Sequence, residues 1–372
     1  MQRSIPFTKC AIAIAALLST ANGFLLTTYQ LTMTRQDPIM FAPGSAPKSG
    51  HVHNVVGSAN FGSSSTYDQL HSASCTSVDN TADKSAYWQP AICSHLPNGT
   101  FVPLPMTEAR VYYLCDHGPN VNPPPKGLRM IAGDANARDA KGNTTKGTQW
   151  ATLGCQMGSL HNSTNEYQQR GFIKNLVCGD FLRASVQFPD CWDGKNLDSP
   201  DHFSHMLFSN GSKCPTSHPV RIPAIVTEWG YISKGFDPAS LVLASGDTTG
   251  YGLHADFIMG WDLNILAKAV VDPTCIHREN NLGPGNGEQC ATLAATHNAK
   301  AAASCKLAMQ VPQESVGLTT PITQLPGCNP LSNGNGSPAS CSALQTNKIS
   351  TNLVNPSFVN FGHIGPNVAI AN

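Results

Sequence analysis

Three groups of side chains in this 372-residue chain are of types that do chemistry. Between Cys191 and His205 the sequence carries Trp192, Asp193, Lys195, Asp198, Asp201, His202 and His205, although charged residues make up only 12 % of the whole. His51-Val-His53 and His254-Ala-Asp256 each set two ligand-type side chains two residues apart. In an extended segment that spacing turns both side chains to the same side. If the fold brings the groups together, His51, His53, His205 and His254 could bind a divalent metal, because imidazole and carboxylate suit several such ions. Metal-free acid–base chemistry is the other option: a histidine beside an aspartate shuttles a proton at ordinary pH, and the aspartate fixes its tautomer. The candidate catalytic residues are therefore His53, Asp201, His202, His205, His254 and Asp256. Each also has a plainer reading, in which histidines donate to main-chain carbonyls and aspartates hold their own turns.

Substrate contacts can be sought among the same segments. Arg129 and Lys195 could neutralise a uronate or developing negative charge, and Trp192 and Asp193 lie beside Lys195. A tryptophan face packs against the apolar side of a sugar ring, which brings Trp88, Trp192 and Trp261 into view, with burial in a core as the alternative. Carboxylate pairs drawn from Asp134, Asp193, Asp198, Asp201, Glu228, Asp256 and Asp262 could serve glycoside hydrolysis, where the gap between oxygens decides the stereochemical outcome. There is no Gly-x-Ser-x-Gly elbow, His-Glu-x-x-His helix or Walker loop.

The elements that must position these residues read as mostly strands. Gly194 and Pro200 make the Cys191–His205 stretch an ordered loop. Short β-branched or aromatic runs at 110–115, 127–132, 184–188, 222–227 and 257–261 are strand candidates bounded by turn residues. Such a pattern predicts a mainly β fold, a sandwich or jelly-roll-like single domain with long disulfide-pinned loops and a few helices. Asp262 is placed to cap a helix over 263–271, and Asn286 with Gln289 resembles a capping box opening an Ala-rich helix to about Met309. Residues 24–50 read as an extended lead-in to a globular part ending near 311. Residues 312–372 read as a Pro/Asn/Ser-rich extension and mobile tail.

The compartment follows from the N-terminus. Arg3 and Lys9 precede the apolar run Ala11–Leu18, and Ala21-Asn22-Gly23 offers small residues, the pattern of a secretory signal over 1–23. Removing it leaves twelve of the thirteen cysteines, an even set that reads as disulfides in an exported chain. Asn98, Asn143, Asn162, Asn210 and Asn335 stand in acceptor sequences for N-linked sugar. A net charge of zero without basic clusters argues against nucleic acid, and nothing predicts a membrane anchor. A secreted, extracellular monomer is expected.

Several longer motifs together resemble a known family. They are His51-Val-His-Asn-Val-Val-Gly57 with Asn60-Phe-Gly62, the run from Ser77 to Trp88, Lys126 to Asp134, the Cys191–His205 segment, and Gly250 to Asp262. Across about 37–275 the chain resembles the DUF1996 family of secreted, mostly fungal proteins, some joined to glycan-binding WSC modules. The resemblance implies export and contact with cell-wall polysaccharide rather than a particular reaction. The density of His, Asp, Lys and Trp in a disulfide-stapled, exported scaffold adds the expectation of a carbohydrate-active enzyme that cleaves polysaccharide by hydrolysis or elimination. Its alternatives are a non-catalytic wall-binding or effector protein and a metal-dependent enzyme with a non-glycan substrate.

Overall fold

Ala224–Ile232, whose nine residues are β-branched, aromatic or small except for Glu228, form a strand that is buried almost end to end. It lies at the centre of a seven-stranded sheet because strands pair with it on both sides and another sheet covers it. In the computed structural model, which describes residues 23–40, 50–115, 120–141, 146–157, 165–172, 174, 178, 181–211, 213–276, 285–286, 289–335, 350 and 352–355, that sheet runs in the order Asn165–Gln169, Ala151–Met157, Phe181–Gln187, Ala224–Ile232, Met106–Leu114, Gly23–Thr28, Gly285–Asn286. All its neighbours are antiparallel except the last pair.

A five-stranded antiparallel sheet is built from Thr32–Thr34, His53–Gly57, Ala86–Pro90, His254–Ile258 and Arg129–Gly133, in that order. The two sheets share one apolar core that includes Phe24, Leu26, Tyr87, Tyr113, Phe257 and Trp261. Polar side chains also bridge them: Asn54 Nδ2 donates to Tyr231 Oη at 3.1 Å, and Gln89 Nε2 to Thr227 Oγ1 at 2.8 Å. The fold is mainly β, with few helices, as its alternating short runs predict.

Strand periodicity then dictates what the second sheet shows on its other side. Asn54, Tyr87, Gln89 and Phe257 face the other sheet, so their neighbours His53, Val55, Trp88, His254 and Asp256 point to the opposite face, where Val55 and Trp88 are still buried in the apolar cluster. Register aligns Asp256 with Trp88 and Ile131, and His254 with Gly133. This outer face is not left to solvent. Loops carrying Asp37, Asp134, Arg138, Phe203, Ser245 and Asn329 close over it.

The helix Leu263–Ala269 is capped as the sequence predicts, with the Asp262 side chain accepting from Asn264 N and Ile265 N. Three expectations are corrected. The lead-in is not a loose segment: Gly23–Thr28 and Thr32–Thr34 are strands of the two main sheets. The Ala-rich run is not one long helix but two short ones, Ala291–Ala294 and Ala299–Ser304. Between them Thr296 O and Asn298 N are spent on Thr81 and Asp79, so the main chain leaves helical geometry there. The cysteines are not all bridged, either. Bridges join Cys75–Cys305, Cys155–Cys178, Cys191–Cys214 and Cys275–Cys290, and Cys328 is also disulfide-bonded. Cys93 is instead a buried thiol, its pKa pushed up to about 12 by desolvation.

Residues 312–335 pack against the domain. Phe101 pairs with Ile322 and Asp247 with Ser332, and Leu325 is buried. Asn98, Asn210 and Asn335 are all exposed, as sugar attachment requires, whereas Asn143, Asn162 and residues 1–22, most of the expected signal, lie outside the described residues. No helix among the described residues is long and apolar enough to cross a membrane.

Candidate functional site

A cavity of about 590 Å³ sits on the outer face of the five-stranded sheet. His53 and the pair His254 and Asp256 rise into it from their strands, and His51 enters from the segment just before the first of these. The cavity is walled by Arg35, Asp37, Asp134, Arg138, Lys146, Asp201 and Phe203, and by Cys328, Asn329, Pro330 and Ser332.

The three imidazoles converge. His51 Nε2 and His254 Nε2 are 3.1 Å apart. Ring centroids are separated by 4.3 Å for His51–His53, 5.0 Å for His51–His254 and 5.7 Å for His53–His254. His254 Nδ1 donates to Gly252 O at 2.7 Å, and Gly252 N in turn donates to the buried Asp247 Oδ2 at 2.7 Å. That bond assigns the proton of a neutral His254 to Nδ1 and leaves Nε2 with a bare lone pair directed at the cluster. Neither ring nitrogen of His53 has a hydrogen-bond partner, although both are buried.

Burial decides the protonation of the group. It lowers the pKa of His51 well below the usual range, helped by the neighbouring His254. The same desolvation, with His51 and His254 adding repulsion, lowers His53 well below it too. His254 is also lowered by burial, against its bond to Gly252. Neutral imidazole is the form that ligates metals, so at neutral pH all three are in the ligating state.

Two carboxylates complete the floor. Asp256 is 1 % exposed and neither oxygen has a partner. Burial, and then the charge of Asp37, raise its pKa well above the ordinary carboxylate range. Asp37 is also raised by burial, against the N–H groups of Met40 and Ile39 that its Oδ1 accepts, each at 3.0 Å. Two triads of ligand atoms result, each within 4.8 Å of one another: His51–His53–His254, and Asp37–His53–Asp256. A third such group, Asp272–Cys275–Cys290, is a structural bridge, because its cysteines form a disulfide and Asp272 binds Thr274 and Thr292.

The Cys191–His205 loop contributes less than its composition suggests. Asp193 Oδ1 accepts from Lys195 N and Asn196 N, and Lys195 is exposed outside the cavity. Trp192 Nε1 donates to Asn196 O within the same loop. Asp201 does reach the cavity wall, but its Oδ1 accepts from Ser199 Oγ and from Phe203 and Ser204 N. His202 Nδ1 contacts Asp198 Oδ1 at 2.8 Å. His205 does not join the other histidines, since its nitrogens are taken by Ser199 Oγ and Arg129 O, both at 2.8 Å. Arg129 lies 3.9 Å from Asp198 and does not line the cavity. Trp88 and Trp261 are fully buried, so neither offers a face to a sugar.

Sequence reasoning passed over Asp37, Arg35 and Arg138. Arg35 Nε pairs with Glu314 at 3.0 Å, and Arg138 Nε lies 3.6 Å from Asp247. Asp37 stands before Pro38 and reads as a turn residue, which it also is.

Comparison with known proteins adds a family. A family model described as a domain of unknown function (DUF1996) matches residues 37–261, a span that contains every residue of both triads. No curated protein and no solved structure matches the chain.

Proposed function

We propose that this chain, which belongs to the DUF1996 family, is an exported metal-dependent enzyme acting on polysaccharide, with a divalent cation held by His51, His53 and His254. The observation that supports this most strongly is the meeting of three buried, neutral imidazoles at the base of one cavity. Two of them present nitrogens 3.1 Å apart, a separation that a shared cation on three such rings would accommodate. A cation there supplies Lewis acidity and lowers the pKa of a bound water.

The chain's own residues divide the remaining work. Gly252 and Asp247 hold the tautomer of His254. Asp134, Asp201 and Lys146 on the wall can bind hydroxyl or carboxylate groups of a substrate. A volume of about 590 Å³ lies within the roughly 300–1,000 Å³ of small-molecule sites, which suits the end of a glycan chain better than its interior. The signal-like N-terminus and the disulfides support export. The polysaccharide assignment rests on the resemblance to secreted, wall-associated relatives.

Purified protein assayed for bound metal, then incubated with fungal and plant polysaccharides, tests the reading. Reducing ends and unsaturated products, measured separately with and without chelator, distinguish hydrolysis from elimination. One cation per chain and chelator-sensitive product are expected. Protein that binds no cation, or activity indifferent to its removal, overturns the metal-dependent assignment.

A further inference from the structure

His53 is the one residue that both triads share, and its surroundings are incomplete. Its two nitrogens are buried without partners, and an imidazole presents them on different sides of the ring. His51 and His254 form one group with a His53 nitrogen, and Asp37 and Asp256 form another, the ligand atoms of each lying within 4.8 Å of one another. His254 shows what a finished arrangement looks like, with one nitrogen facing the cluster and the other fixed by a carbonyl. His53 has no such anchor until a carboxylate takes it.

The carboxylates are unfinished in the same way. Neither oxygen of the buried Asp256 has a partner, and neither Asp37 nor Asp256 forms an ion pair with a basic side chain among the described residues. The nearest basic residues on the cavity wall are engaged elsewhere, Arg35 with Glu314 and Arg138 with Asp247. Two buried carboxyl groups without a basic partner are costly to ionise. A divalent cation on three neutral imidazoles carries the complementary excess of positive charge.

We propose that Asp37 and Asp256 are the outer carboxylates of the metal centre: they take one nitrogen of His53, so that its other nitrogen is presented to the cation faced by His51 and His254. This deepens the metal-dependent reading and rests on it. Asp256 is the principal positioning residue, because its oxygens are wholly uncommitted. Asp37 is steered by Ile39 and Met40 through Oδ1, and the Trp88 side chain also bears on its carboxyl, so its part is the lesser one. Outer carboxylates of this kind set ring orientation and ligand basicity, and their loss weakens metal binding by about 10–100-fold.

The test is Co(II) titration of the full mature protein, followed by its visible absorption bands and by competition for affinity. Wild type should bind one equivalent. Asp256→Asn should still bind one equivalent, about 10–100-fold more weakly, with shifted bands, and Asp256→Glu should recover most of the affinity. Asp37→Asn keeps an oxygen for the two N–H groups and should show a smaller loss in the same direction, which guards against a misfolded Asp256 variant. Unfolding of the metal-free proteins should show both variants folded. Asp193→Asn, whose carboxylate serves its own turn outside the cavity, should bind as wild type does. Unchanged affinity and spectrum in both Asp256→Asn and Asp37→Asn would overturn the proposal while leaving the three-histidine centre standing. Two equivalents in wild type, falling to one in Asp256→Asn, would also overturn it, by placing a second cation between the carboxylates. Absence of any Co(II) binding by wild type would instead sink the metal-dependent reading itself.

Discussion

His51 Nε2 and His254 Nε2 face each other at 3.1 Å across 203 residues of sequence. Because His254 carries its proton on Nδ1 toward Gly252, this contact holds at most one proton when both rings are neutral. A cation that replaces that proton gains two ligands at once.

His254→Ala and His51→Ala are therefore each expected to weaken cation binding by well over tenfold, a loss of more than about 1.4 kcal/mol. Equilibrium dialysis with metal analysis reads this directly. Wild type saturated at about 100 times its Kd should also unfold later than the chelated protein, by roughly 2.7 kcal/mol of stability. Identical unfolding curves with and without chelator would contradict it.

A buried relay elsewhere makes a pH prediction. Trp261 Nε1 donates to Tyr113 Oη at 2.8 Å, the Tyr113 and Tyr87 hydroxyls are 2.7 Å apart, and Tyr87 Oη donates to Asp83 Oδ2 at 2.7 Å. Burial pushes the Asp83 carboxyl up from 3.8 to about 6. The folded chain thus keeps a proton that the unfolded chain releases, so this contribution to stability is full below about pH 4 and lost as pH rises through about 6. Stability of wild type relative to Asp83→Asn should fall by roughly 2.4 kcal/mol between pH 4 and pH 7. Urea unfolding at several pH values measures it. A flat difference would show that Asp83 does not titrate in this window.

Gly133 is the residue across the sheet from His254, at φ 88°. A Cβ there would lie 2.5 Å from Leu253 O and 2.7 Å from His254 Cα. Gly133→Ala should cost about 1–3 kcal/mol and displace the histidine enough to weaken cation binding. Gly99 has a similar φ of 82° but open space where the Cβ would go, so Gly99→Ala should cost only about 1–2 kcal/mol and leave the cation untouched. Thermal unfolding beside dialysis separates the two.

The loop richest in reactive side chains gives a contrary expectation. Asp193→Ala should loosen the turn it holds at a cost of about 1 kcal/mol, and Lys195→Ala should cost less than about 0.5 kcal/mol. Neither should alter cation affinity. A clear drop in affinity for either would mean that the loop reaches the cavity.

The sequence carries the local half of this site. Spacing of two in His51–His53 and His254–Asp256 tells which side chains share a side, because strand periodicity is a local property. Their convergence is not local: it depends on registers between strands some 200 residues apart. Density of reactive residues misleads in the opposite direction. Asp193, Asp198 and Asp201 are abundant between 191 and 205 because a loop without regular hydrogen bonds satisfies its N–H groups with carboxylates. The strand Gly23–Thr28 goes unnoticed for another reason. Four of its six residues are buried and the other two partly so, and its sequence runs Phe-Leu-Leu without the polar alternation that marks a strand.

The segment from Cys328 to Ser332 lies well beyond the family signature, which ends at 261, yet it forms part of the cavity wall. Asn329 Nδ2 donates to Gly50 O at 3.1 Å, immediately before His51. Substitutions in this stretch can therefore reshape the rim while every signature residue stays in place. Two chains that match the family equally well can differ in what they admit, and a chain shortened to 37–261 would be left with an open-sided pocket and without Cys305, the partner of Cys75.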